Sequence, residues 1–238
     1  MMKLSELMRL QENRQIMRDT RGNKVGDDRS EQLSSATFRK AIVTFDDTPA
    51  PRDESPFVSG VEPRRDIAVV PYDSSWTTLF EKLRMTIVNT LGFRALAIEH
   101  IGSTSVPGLA AKPVIDIDLT VADSDEESSY VPALEKAGFH LVIRETWWYG
   151  HRMFRGDNPA CNLHVWSVGS PEAIRHLIFR NWLRQNAEDR DLYISVKREA
   201  ANHTYTNMMS EYNQRKQDTI RSIYHRAFIE AGLVSSES

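Results

Sequence analysis

The strongest constraint on this chain is the alternation in Val114-Ile115-Asp116-Ile117-Asp118-Leu119-Thr120-Val121. A strand sends successive side chains to opposite faces, so the aliphatic residues share one face and Asp116, Asp118 and Thr120 share the other. The two carboxylates then stand roughly 7 Å apart at their Cα atoms. Anions that close repel, and burial adds to the cost unless a cation joins them. A divalent ion with oxygen ligands, Mg²⁺ or Mn²⁺, is the natural partner for Asp116 and Asp118. Taken alone, an Asp-x-Asp pair equally describes a solvated sheet face.

The segment before it narrows the reading. Ala95 to Ile101 has the character of a short strand, and Gly102-Ser103-Thr104-Ser105-Val106-Pro107-Gly108 follows directly. A glycine lets backbone approach a ligand closely, and exposed N–H groups with a neighbouring hydroxyl suit a phosphate. A phosphate-binding turn close to an acidic strand is the layout expected of a site handling a phosphorylated substrate. His100, on the strand before the turn, is read either as a catalytic group or as a packed histidine.

Around this pair of segments the chain divides in two. Residues 1–65 mix charges of both signs with a turn-rich stretch from Thr48 to Pro56. That composition is expected to leave the segment mostly disordered or loosely packed. A short amphipathic helix near Leu4–Leu10 and an edge strand at Ala41–Phe45 are its only expected elements. Residues 66–232 carry the domain. Ser74 reads as the N-cap of a helix whose apolar stripe is Trp76, Leu79, Phe80, Leu83 and Ile87, stopped by Gly92. Pro132 to Gly138 brackets a short helix. Strands are expected at Leu141–Glu145, Trp147–Phe154 and Asn162–Val168, and Ser170-Pro171-Glu172 opens a helical second half. A mixed sheet followed by helices is an α+β pattern.

Composition excludes several classes. The net charge of -3 over 238 residues gives no general basic field for nucleic acid. The single cysteine, Cys161, rules out an internal disulfide and any multi-thiolate zinc site, and reads as packing. No apolar run approaches the roughly 18 residues of a membrane span. The charged N-terminus lacks the apolar core of a secretory signal, so a cytoplasmic location is expected.

Glu99 to Asp118 resembles the signature of the GrpB family, also called UPF0157, whose members are placed among nucleotidyltransferase-like folds. The resemblance extends through Val70–Trp76, Gly150–Phe154, Asn162–Val165, Phe179–Arg184, Tyr193–Lys197 and Tyr212–Lys216. It covers about Asp66 to Ala231. The resemblance implies a mixed sheet flanked by helices, with Gly102, Ser103 and Thr104 on a phosphate and Asp116 and Asp118 on the metal. It also implies phosphate-binding roles for Lys112, Arg152, Arg180, Lys197 and Lys216. Where nucleotidyltransferases keep a third carboxylate on a later strand, this sequence offers His164, a second catalytic candidate beside His100. Trp147, Trp148 and Tyr149 are read as packing, or as a platform for a base.

Three functions are carried forward. Some fungal members that resemble this chain make arginine-containing cyclodipeptides, which implies an aminoacyl transferase using arginyl-tRNA. Peptide bond formation from an ester needs positioning and a proton acceptor more than a second metal. The alternative is a metal-dependent nucleotidyltransferase or phosphotransferase using a nucleotide and a small-molecule acceptor. The last is a non-catalytic nucleotide- or RNA-binding module.

Overall fold

The computed structural model of the protein describes residues 36–46, 49–52, 54–58, 60–61, 68–202 and 209–235. Among them are six α-helices: α1 (Ala36–Val43), α2 (Ser75–Leu91), α3 (Val131–Lys136), α4 (Pro171–Gln185), α5 (Ala187–Asn202) and α6 (Met209–Glu230). The five strands are β1 (Ala97–Ile101), β2 (Ile115–Val121), β3 (His140–Glu145), β4 (His151–Asp157) and β5 (Ala160–Ser167). They form one mixed sheet in the order β1-β2-β5-β4-β3, in which only β2 and β5 run parallel. Parallel neighbours need a long connection. Here it is made by α3 and the β3–β4 hairpin. The architecture is the α+β arrangement expected from the sequence.

The alternation in β2 works as read. Ile115, Ile117 and Leu119 are at most 1% exposed and pack with Trp76, Phe80, Leu83, Ile87 and Leu91 of α2. Those five α2 residues recur at intervals of three and four, which puts them on one helix face. Each fully buried large aliphatic or aromatic side chain there contributes about 1.5–3 kcal/mol. Asp73, rather than Ser74, caps α2, because its Oδ1 accepts the Ser75 N–H at 2.8 Å. Gly92 ends the helix with φ 57°, its N–H bonded to the Val88 carbonyl.

The opposite face of the sheet is covered by the C-terminal helices. Ile101 packs with Ile174, Leu177 and Ile178 of α4 and with Tyr224 and Phe228 of α6. Val106 and Leu109, in the loop after β1, pack with Leu183, Tyr193 and Ile223.

Three expectations are corrected. Residues 41–43 are helical, and α1 buries Ile42 fully against α4 and α6, with Phe38 and Phe45 beside it. Arg175 of α4 donates to the carbonyls of Ala41, Ile42 and Thr44, satisfying groups that a helix end leaves open. That part of residues 1–65 is therefore packed on the domain. The expected helix near Leu4–Leu10 lies outside the described residues. Finally, residues 146–150 turn before β4 begins at His151, and Tyr149 adopts a positive φ of 52° in that turn.

Candidate functional site

Strand register decides which polar groups meet. On the parallel partner, Asp116 lies beside Asn162, Asp118 beside His164, and Thr120 beside Trp166. On the antiparallel partner, Ile101 lies opposite Asp116 and Glu99 opposite Asp118. Residues so paired share a face, so Glu99, Asp116, Asp118, Asn162, His164 and Trp166 all point toward the C-terminal helices.

Asp118 is 3% exposed and fully engaged. Its Oδ1 accepts the Trp166 indole N–H at 2.8 Å, and its Oδ2 accepts Nδ1–H of His176 on α4 at 2.8 Å. Burial opposes charge on His176, but the Asp118 carboxylate prevails and pushes its pKa up to about 9. Asp118 and His176 are thus a buried ion pair.

Asp116 is half-buried, and its Oδ1 accepts the Asn162 amide at 2.8 Å. Burial pushes its carboxyl up, against the Asn162 bond and the charges of His176, Lys197 and Lys216. Gly102 lies directly against it with φ +66°: a Cβ there would sit 2.4 Å from Oδ2. The glycine permits both the left-handed turn and this close approach. The turn is held by Ser105, whose hydroxyl donates to the Gly102 carbonyl at 2.6 Å, and by Arg184, which donates twice to the Ser105 carbonyl.

Two lysines from different helices, Lys197 and Lys216, act on Asp116, and Lys112 acts on both of them. Lys197 of α5 is 3% exposed, donates to the Ala110 carbonyl at 2.7 Å, and lies 5.2 Å from the Tyr193 ring centroid. Burial, with the charges of Lys216 and Lys112, lowers its pKa to about 7. Burial and Lys112 lower Lys216 of α6 to about 8. Tyr193 and Ser103 share a hydrogen bond at the same place. The result is a cluster of Asp116, Ser103, Tyr193, Lys112, Lys197 and Lys216 beside the Gly102 turn. Cations whose charge is held down chiefly by burial, and further by one another, gain from a neighbouring anion.

His164 is half-buried on β5, with its Nδ1 2.9 Å from Nε2 of His151. Nδ1 of His151 lies 2.7 Å from Oε2 of Glu145. Burial, with His151 and His176 nearby, keeps the His164 ring neutral by lowering its pKa well below the usual value.

Four candidates stand elsewhere. His100 lies on the other face of β1, stacked on Phe80 at 4.7 Å, with Nε2 3.0 Å from Thr104 Oγ1. Both His100 and Thr104 are buried in that contact and brace the loop from behind. Arg152 also lies on the α2 side, and each of its three guanidinium nitrogens has a partner, in Glu127, Asp125 or the Gly150 carbonyl. Arg180 reaches the site face but binds Glu99 at 3.1 Å and the His100 carbonyl at 2.9 Å, fixing β1 to α4. The residues that sequence reading missed are His176, Asn162, Trp166 and Tyr193. For His176 the only available signal was its place one turn before Arg180 on a helix face.

Among the described residues, no group of three or more His, Cys, Asp or Glu side chains is placed to hold a metal ion. Both oxygens of Asp118 already accept N–H bonds, and protein cations balance both carboxylates. His176 beside Asp118, and Lys197 and Lys216 beside Asp116, supply positive charge that offsets the repulsion between the two carboxylates.

The fold and site define an α+β protein with two sheet aspartates, one paired with a histidine and the other beside a cluster of lysines. Comparison with known proteins places it further. The GrpB protein family matches residues 66–226, and the chain belongs to that family. It is 48% identical to a UPF0157 protein of Halalkalibacterium halodurans, over 68% of this chain and 82% of the relative. It is 41% identical to one of Streptomyces coelicolor, over 68% and 84%. The crystal structure of GrpB from Enterococcus faecalis superposes with a TM-score of 0.61 at 30% identity, covering 68% of this chain and 98% of that one. The chain is also 29% identical to a dephospho-CoA kinase of Mycolicibacterium paratuberculosis, over 69% of this chain but 47% of the kinase. No helix among the described residues is long and apolar enough to cross a membrane.

Proposed function

We propose that this protein is a transferase acting on a phosphate-bearing substrate of the nucleotide class, held by Lys112, Lys197, Lys216 and Ser103. The observation that carries the reading is the clustering of three lysines, two of them with lowered pKa values. Such a grouping is unfavourable when empty and gains most from a multiply charged anion. Similarity to proteins named dephospho-CoA kinase supports a substrate of this class and makes dephospho-CoA a probe to include.

Transfer of an arginyl group from arginyl-tRNA to make a cyclodipeptide is a narrower form of this reading. A tRNA end supplies the phosphate and adenosine, but an arginine guanidinium needs carboxylates of its own. Glu99 and Asp118 are already paired with Arg180 and His176. The lysine cluster therefore favours the phosphate of such a substrate over its side chain.

The test is calorimetric titration with ATP, the other nucleoside triphosphates, dephospho-CoA and arginyl-tRNA, each followed by product analysis. Binding of at least one probe, lost in Lys197→Ala/Lys216→Ala, supports the reading. Binding that survives the double substitution, or no binding by any probe, overturns it.

A further inference from the structure

Glu145, His151 and His164 line up across three adjacent strands, β3, β4 and β5, toward the acidic strand β2. We propose that they form a proton relay ending in a bare His164 Nε2, which serves as the general base of the site; this rests on the transferase reading above.

The tautomers follow from the partners. The Glu145 carboxylate only accepts, so Nδ1 of His151 carries a proton and donates it. In the proposed relay His151 rests neutral, so its Nε2 accepts and Nδ1 of His164 donates. The two rings are only 18° from coplanar with centroids 5.2 Å apart, as an in-line N–H···N bond requires. Trp166 stacks on His151 at 4.4 Å and holds that ring in place. His164 Nδ1 is committed to His151, so its proton-free Nε2 is on the far edge of the ring, away from His151.

The charged groups around His164 fit this role. His176 of α4 stands 6.2 Å away between ring centroids and is paired with Asp118 and flanked by Glu172. Asp118 of β2 lies beside His164 in register, and Met153 faces it from β4. The nearby cation is His176, so His164 stays the neutral ring of the two.

In the reaction, an acceptor O–H or N–H loses its proton to His164 Nε2 while the electron pair of that bond attacks the group being transferred. The leaving group departs with the electrons of its own bond and stays on the lysines as an anion. The Nδ1 proton of His164 passes to Nε2 of His151, which leaves the positive charge beside Glu145. His164 is the catalytic residue; His151 and Glu145 are positioning residues.

The experiment is long-range ¹H–¹⁵N spectroscopy of the full chain labelled at histidine, near pH 7, with His164 assigned by His164→Gln. The expected spectrum has His164 protonated at Nδ1 and bare at Nε2, becoming a tautomer mixture in Glu145→Gln. A proton on Nε2 in the native protein, or an unchanged tautomer in Glu145→Gln, overturns the relay. With the substrate identified, His164→Gln should lower kcat about 100-fold and leave KM within about twofold. An unchanged kcat overturns the base assignment. Failure of every phosphate probe to bind would sink the transferase reading alone, because the nitrogen spectra report the relay without any ligand.

Discussion

His176 donates from Nδ1 to Oδ2 of Asp118 at 2.8 Å, and the Trp166 indole holds the other carboxylate oxygen at the same distance. Burial resists charge on the ring, and the carboxylate still lifts its pKa to about 9. A raised folded-state pKa contributes stability fully below the unfolded value of about 6.5, and that contribution is lost as pH rises through about 9. Unfolding free energy should therefore decline between those limits by on the order of 1–3 kcal/mol. Denaturant titrations across that range should show the decline, and His176→Gln should remove it.

Lys197 and Lys216, with pKa values near 7 and 8, are partly deprotonated around neutral pH. A bound phosphate favours their charged forms, so binding should take up protons, and affinity should fall as pH rises past about 8. Calorimetry in buffers of different ionisation enthalpy measures the uptake. A proton count of zero near pH 7.5 would remove the lysines from the binding step.

Gly102→Ala places a methyl 2.4 Å from Asp116 Oδ2 at a residue with φ +66°. Strain of this kind costs about 1–3 kcal/mol. The variant should melt lower and lose phosphate binding together, since the loop must move off Asp116. Binding at native strength would show that the loop takes no part in holding the phosphate.

Ile42 is fully buried outside the family-matched region, between α4 and α6. Ile42→Ala should cost about 2–5 kcal/mol. Deleting residues 1–46 should lower the melting temperature further, because the Arg175 guanidinium also loses its three carbonyl acceptors. Thermal unfolding of both variants is the check. An unchanged transition would mean that α1 docks without contributing stability.

The two-residue period of β2 fixed its buried and polar faces without help, because side-chain direction in a strand is a local property. The three- and four-residue spacing in α2 did the same for its core stripe. The glycine at 102 likewise marked a turn beside the acidic pair. The edge strand expected at Ala41–Phe45 failed because a five-residue apolar run has no local feature that separates strand from helix. It became helical where α4 and α6 offered Ile42 a pocket.

The partners of the aspartates lay beyond local reach. His176 is 58 residues from Asp118, and Lys197 and Lys216 belong to different helices. Sequence reading could see the repulsion between the carboxylates but not the protein cations placed beside them. It likewise could not tell that His100 faces Phe80 while His164 lies on the other sheet face, beside Asp118 in register and near His176. The sequence by itself determined β1, β2, β3 and β5, the buried face of β2 and the turn beside Asp116. Tertiary structure decided which charges meet, since electrostatic energy depends on distance in space, and helix packing brings together residues far apart along the chain.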